Sequence, residues 1–144
     1  VNDVKREAVD QGTRLRHADA ELIAKGVQDG WIEVESLPKP SVIVARKLAR
    51  DENLSLTDAK TLVLARQTQA QIVVDEKALS DLARMFGLQT WNTWTVLLEG
   101  LRRRHMGFAD VEAAIAELGD RRHKSKAEQT TEILRTARAI AKQK

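Results

Sequence analysis

The sequence predicts an α/β fold in which short strands alternate with amphipathic helices. Between residues 54 and 104, a short apolar run at 72–74 and a second short strand-like run at 89–91 are separated and flanked by segments whose apolar residues recur at helical spacing. The first run is β-branched and too short for a helix, which is typical of a parallel strand buried on both faces. The segment after it places four apolar residues on one helix face before Gly87, which favours a helix end there.

The N-terminal part of the chain predicts three helices and one further strand. A helix over 2–11 is expected to stop near Gly12, and a second helix is expected over 18–28. The alternation of apolar and polar residues over 31–37 suits a partly exposed edge strand. Two prolines separate that strand from a helix over 41–50.

Caps and apolar stripes predict the remaining helices. Thr57 is expected to cap the helix before the first apolar run, and Asn92 or Thr93 the helix after the second. Apolar residues at helical spacing predict a helix over 109–118 and a last helix over 126–142. The stripe of the last helix is narrow, so it could dock on the body of the protein or join a partner helix.

The composition indicates one globular domain of 144 residues, with 31% charged and 42% hydrophobic residues. No apolar run approaches the ~20 residues of a membrane span, and the charged N-terminus does not resemble a signal peptide. The chain contains no cysteine, and its three histidines lack the spacing of a zinc site. We therefore expect a cytoplasmic protein without membrane association, disulfides or thiolate metal sites.

Two clusters of basic residues are more informative than the net charge of +3. Their members are Arg102, Arg103 and Arg104 in the first, and Arg121, Arg122, Lys124 and Lys126 in the second. Residues 121–144 hold eight cations and two acids, a local charge of +6. Such clusters favour phosphate contacts with nucleic acid. The alternative is that the arginines complement a helix C-terminus and that the tail is merely solvated.

Six segments, taken in order and spacing, resemble those of a known family. The sequence reads VKREAV at 4–9, GWIEV at 30–34, TDAKTLVLA at 57–65, VDE at 74–76, LARMFGL at 82–88 and NTWTVLL at 92–98. This series resembles that of the PIN-domain nucleases, and most closely that of their short prokaryotic toxin-like branch. The resemblance covers roughly residues 1–118.

The resemblance implies a PIN-like three-layer α/β/α fold, helix-rich and with a short parallel sheet, over residues 1–118. Residues 119–144 would then form a basic C-terminal helical extension. Members of the family open with a central strand that carries their first catalytic aspartate, and no such segment precedes Val1. The expected domain is therefore incomplete at its N-terminus. Two strands and one metal ligand would be missing from this chain.

The activity that the resemblance implies is hydrolysis of RNA with the help of Mg²⁺ or Mn²⁺. The catalytic candidates are Glu7, Asp58, Asp75 and Glu76. Of these, Asp58, Asp75 and Glu76 would bind the metal, since hard cations prefer carboxylate oxygens. Thr57 and Asn92 could assist as nearby polar groups. Each acid also has a simpler reading, as a solvated helix residue or a helix cap.

The sequence thus predicts a metal-dependent endoribonuclease of the toxin–antitoxin type, or a degenerate relative of one. The alternative is a non-catalytic module that retains the fold and binds RNA or protein, and a third reading is a structural subunit. Because strand edges of an incomplete sheet invite pairing with another chain, we also expect a homodimer or a complex with a cognate protein partner.

Overall fold

The computed structural model describes residues 1–120 and 127–142 and has a helix-rich α/β fold. The N-terminal helix consists of α1 (Asn2–Lys5), a π-helical segment (Arg6–Gln11) and α2 (Gly12–Arg14). The later elements are α3 (Ala18–Gln28), α4 (Lys39–Asp51), α5 (Leu56–Thr68), β1 (Ile72–Val73), α6 (Lys77–Met85), β2 (Thr90–Trp91), α7 (Thr93–Arg102), α8 (Phe108–Asp120) and α9 (Ala127–Lys142).

The chain divides into two compact units, each with its own apolar core. The first unit contains Val1–Ile72 and Asp81–Gln89, and the second contains Val73–Ser80 and Thr90–Lys144. In the first unit α4 packs along α5, and the fully buried Ala45 and Ala59 allow the two helices a close approach. In the second unit one core cluster of buried side chains comes from α7, α8 and α9: Trp94, Leu101, Val111, Ile115, Ile133 and Ala137.

The sheet consists of β1 and β2, which pair directly. The amide of Ile72 donates to the carbonyl of Gln89 at 3.0 Å, and the amide of Val74 donates to that of Trp91 at 2.8 Å. Both partners advance by two residues in the same direction, so the strands are parallel, as predicted. The expectation of a strand buried on both faces was wrong, because Ile72 is 5% exposed but Val73 is 61% exposed.

The edge strand predicted over 31–37 is wrong. Gly30 adopts φ +80°, and the amides of Trp31 and Ile32 both donate to the carbonyl of Gly26. These bonds close the C-terminus of α3, and the two side chains pack over Gly26, where a Cβ would lie 2.5 Å from the Trp31 ring. The chain up to Pro38 then has no regular structure, because its first amides already serve the helix end.

The N-terminal helix does not stop at Gly12 as predicted. It continues to Arg14, because Gly12 takes ordinary helical angles and its missing side chain allows close packing against Ala20. The turn comes at Arg16, which adopts φ +58°. The π-helical segment inside this helix is a rare form that is frequent at functional sites.

Helix α5 begins two residues earlier than predicted. Its cap is Ser55, whose hydroxyl oxygen accepts from the amide of Asp58 at 3.0 Å, and Thr57 lies inside the helix. For α7 the sequence predicted Asn92 or Thr93 as the cap, and the first of these is confirmed. Asn92 caps this helix by accepting from the amide of Thr95 at 2.9 Å.

The two C-terminal helices predicted from apolar spacing are confirmed as α8 and α9. Ile133 and Ala137 of α9 are buried against α7 and α8, so this helix contributes to the core of the second unit. Within residues 1–120 and 127–142, no helix combines the length and apolar character needed to cross a membrane.

Candidate carboxylate site

Asp75 lies at the carboxyl edge of the sheet, two residues beyond the end of β1. Both of its oxygens accept hydrogen bonds from Thr93, which follows β2. The Thr93 amide donates to Oδ1 at 2.8 Å, and the Thr93 hydroxyl donates to Oδ2 at 2.6 Å. Because parallel strands end at the same edge, the first turn of α7 and the acid meet there. This is the edge at which open α/β sheets bind their ligands.

Thr93 therefore fixes the orientation of the Asp75 carboxylate. Asn92 was the residue expected to assist as a nearby polar group. Its side-chain oxygen instead accepts hydrogen bonds from the amide and hydroxyl of Thr95. The signal that could have identified Thr93 is its place two residues after the end of the second run, 89–91. A side chain there must lie near whatever follows the neighbouring parallel strand.

Glu7 is the second residue of the π-helical segment and is held by a residue distant in sequence. The Thr57 hydroxyl donates to Glu7 Oε1 at 2.9 Å. Thr57 lies in the first turn of α5, so Glu7 is placed at the N-terminal end of that helix, where negative charge is stabilised by the helix dipole. Thr57 was expected to assist as a nearby polar group, and its hydroxyl contacts the acid Glu7 directly.

Asp58 lies in the same turn of α5 and forms a reciprocal contact with the cap. Its Oδ2 accepts from the Ser55 hydroxyl at 2.6 Å, while its amide donates to the same Ser55 oxygen. The arrangement is related to a capping box, but the carboxylate in the third helical position accepts from the hydroxyl of the cap residue and not from its backbone amide. Asp58 consequently has a structural task, whatever further role it has.

Glu76 is exposed and directly precedes α6, and its backbone carbonyl accepts from the amide of Ser80. Glu7 and Asp58 belong to the first unit, and Asp75 and Glu76 to the second. None of these four acids forms an ion pair with any residue that the structure describes. Their oxygens are the donor type that Mg²⁺ and Mn²⁺ prefer. Within the described ranges, however, no three carboxylate or histidine side chains are grouped to hold a metal ion.

The first basic cluster is partly neutralised by one acid. Glu99 accepts from Arg102 at 2.6 and 2.7 Å, and its carboxylate also pairs with Arg103 at 2.5 Å. These two guanidinium groups lower the pKa of Glu99 to about 2, and Glu99 raises the pKa of Arg102. The three arginines and Glu99 together keep a net charge of +2, and Arg104, which adopts φ +61°, takes no part in the contacts with Glu99. The predicted contacts of Arg121, Arg122, Lys124 and Lys126 with nucleic acid lie outside the described residues.

This triad makes a prediction about pH. The pKa of Glu99 is lowered in the folded state from an ordinary value of 4.5, so its stabilising effect is complete above about pH 4.5 and is lost as the pH falls towards 2. We expect a carboxyl ¹³C titration by NMR at low salt to place the Glu99 midpoint near 2. Added salt or the Arg102→Gln substitution should move it towards 4.5, because the pair is at the surface. If the Glu99 midpoint of the unmodified chain is already 4.5, neither Arg102 nor Arg103 pairs with Glu99.

Comparison with known proteins identifies the class to which this acid-bearing α/β chain belongs. A family model described as a PIN domain matches residues 2–139. Because the match covers almost the whole chain, the protein belongs to the PIN-domain family. The resemblance and the helix-rich α/β fold class expected from the sequence are thereby confirmed. No curated protein and no solved structure matches the chain.

Proposed function

We propose that this chain is a metal-dependent endoribonuclease of the toxin type. The observation that carries the proposal is the Asp75 carboxylate at the carboxyl edge of the sheet, with both oxygens held by Thr93. An acid fixed at this edge is suited to holding a cation there. Membership of the PIN-domain family supports the same chemistry, since the family fold is nuclease-like.

In this proposal Asp75 and Glu76, which are adjacent in the chain, would hold Mg²⁺ or Mn²⁺. Asp58 and Glu7, which belong to the first unit, are candidates for the acidic set from the family resemblance alone. The bound ion would activate water and neutralise the charge that develops on phosphorus. The residues of the chain itself would position the acids. Thr93 holds Asp75 and Thr57 holds Glu7 through neutral donors, which leave the full negative charge of each carboxylate available.

The proposal is tested by metal binding and RNA cleavage in parallel. We expect Mn²⁺ to bind weakly by calorimetry and to raise the melting temperature, because a ligand of the folded state stabilises it by mass action. Cleavage of a single-stranded RNA should require the ion and stop when EDTA is added. Absence of both binding heat and cleavage at millimolar Mn²⁺ would remove the catalytic reading.

A non-catalytic RNA-binding module is the second candidate. Arg135, Arg138 and Lys142 are exposed and follow one another at i, i+3 and i+7, so they line one side of α9. Arg135 also pairs with Glu132 at 2.8 Å, which offsets part of this positive charge. Such a row can contact successive phosphates and would give binding that falls steeply with salt. This candidate predicts RNA binding without cleavage, and with a salt dependence that Arg135→Gln and Lys142→Gln reduce.

A further inference from the structure

The first unit contains an apolar cleft that the proposed nuclease function does not use. It has a volume of about 380 Å³ and lies between α4, α5 and the residue that follows α6. Its lining residues are Val44, Leu48, Leu62, Val63, Arg66, Gln67 and Phe86. The floor is buried, whereas Val44 in its wall is 57% exposed. Apolar lining with a few polar groups is the usual composition of a binding site.

One cation is fixed at the rim of this cleft without a carboxylate partner. The Arg66 guanidinium lies over the Phe86 ring, 5.6 Å from its centroid, and forms no ion pair with any residue of the described ranges. Gln67 beside it is engaged by Ser41, to which it donates at 2.7 Å. Stacking on Phe86 therefore holds Arg66 in place while its N–H donors stay available to a carboxylate.

The helix that forms the other wall adds to this positive charge. Lys39, Arg46, Lys47 and Arg50 all belong to α4, against the single acid Asp51. Lys47 lies three residues after Val44 and so shares the cleft side of the helix, whereas Arg46 lies on the opposite side. The cleft is thus apolar at its floor and positive along both helices that border it.

Exposed apolar surface continues beyond the cleft on the side of α6. Met85, next to Phe86, is 81% exposed. A small molecule filling 380 Å³ would leave Met85 in water. A polypeptide segment that places one large side chain in the cleft would cover Met85 as well, which favours a protein partner.

We propose that this cleft docks an acidic amphipathic segment of another protein. An apolar side chain of the segment enters between Val44 and Phe86, and a neighbouring carboxylate pairs with Arg66. The charge pair gives the site its specificity for an acidic partner, and the apolar contact gives the affinity. The proposal does not depend on catalysis, because none of the residues involved is among the four acids.

The test uses the whole chain and two labelled helical peptides with the same leucine face, one with glutamates on its other positions and one with lysines. By fluorescence anisotropy we expect the acidic peptide to bind at least about tenfold more tightly than the basic one. Arg66→Glu should reverse that preference, and Val44→Gln should weaken binding of the acidic peptide about tenfold. The matched controls are Arg46→Glu, on the far side of α4, and Leu22→Gln, an exposed apolar residue of α3.

Two results would overturn the proposal. If Arg66→Glu and Arg46→Glu weaken acidic-peptide binding equally, the attraction is a general effect of net charge. If the unmodified chain dimerises in light scattering and Val44→Gln makes it monomeric, the occupant is a second copy of this chain. Melting curves of all four variants establish that each is folded before its binding is interpreted, and the exposed positions make folding the expected outcome.

Discussion

The substitution Asp75→Asn is expected to lower metal-dependent RNA cleavage at least about 100-fold, because it removes the negative charge of a proposed metal ligand. The fold should survive, since an asparagine oxygen can still accept from the Thr93 amide. The matched control is Glu112→Gln, which removes an exposed acid from α8 in the same unit. Rates are measured at saturating Mn²⁺, and melting temperatures are compared at the same time.

A substitution of Thr93 separates positioning from catalysis in this prediction. Thr93→Val keeps the side-chain shape and the amide but loses the hydroxyl that donates to Asp75 at 2.6 Å. We expect the apparent affinity for Mn²⁺ to fall about tenfold, as for other groups that orient a ligand, and Thr93→Ser to restore it. If Asp75→Asn and Glu112→Gln give equal rates, Asp75 is only a cap of α7, and the nuclease proposal loses its main support.

The contact between Asp75 and Thr93 shows what local patterns can predict. The β-branched run at 72–74, the second run at 89–91 and the acids after the first run together predict a parallel pair with polar groups at one edge. The structure has that pair and that edge. Strand direction and the carboxyl-edge rule are general, so no long-range information was needed for this part of the site.

Other features depended on contacts that the sequence does not display. The alternation over 31–37 resembles an edge strand, but the amides of Trp31 and Ile32 close α3 through a single carbonyl, that of Gly26. Likewise, Glu7 and Thr57 are separated by 50 residues, and nothing local indicates that they meet. The first case was decided by a local contact at the end of α3, and the second by packing between distant parts of the chain.

The pairing of Glu99 with Arg102 and Arg103, by contrast, could have been predicted from the sequence. Glu99 lies three residues before Arg102 and four before Arg103, and these spacings bring side chains together on a helix. Counting cations alone therefore overstated the first basic cluster. If each cation is paired with the acids on its own helix face, Arg104 is predicted to be the arginine of this cluster that takes no part in the contacts with Glu99.

Because of its basic residues, helix α9 was expected to be a C-terminal extension. Ile133 and Ala137 are buried with Trp94, Leu101 and Val111 of α7 and α8. Basic and apolar residues thus occupy different sides of the same helix. One side can serve nucleic acid while the other completes a core, and the two roles make different predictions about substitutions.

We therefore expect Ile133→Ala to destabilise the protein by about 2–4 kcal/mol, because it removes buried methyl groups and leaves a cavity among well-packed side chains. The matched control is Val96→Ala, on the exposed part of α7 in the same unit, which should cost at most about 0.5 kcal/mol. Urea unfolding followed by circular dichroism measures both, with the slope of each transition compared to detect any loss of cooperativity. If Ile133→Ala unfolds no more easily than Val96→Ala, then α9 is an extension that the second unit does not need for its stability.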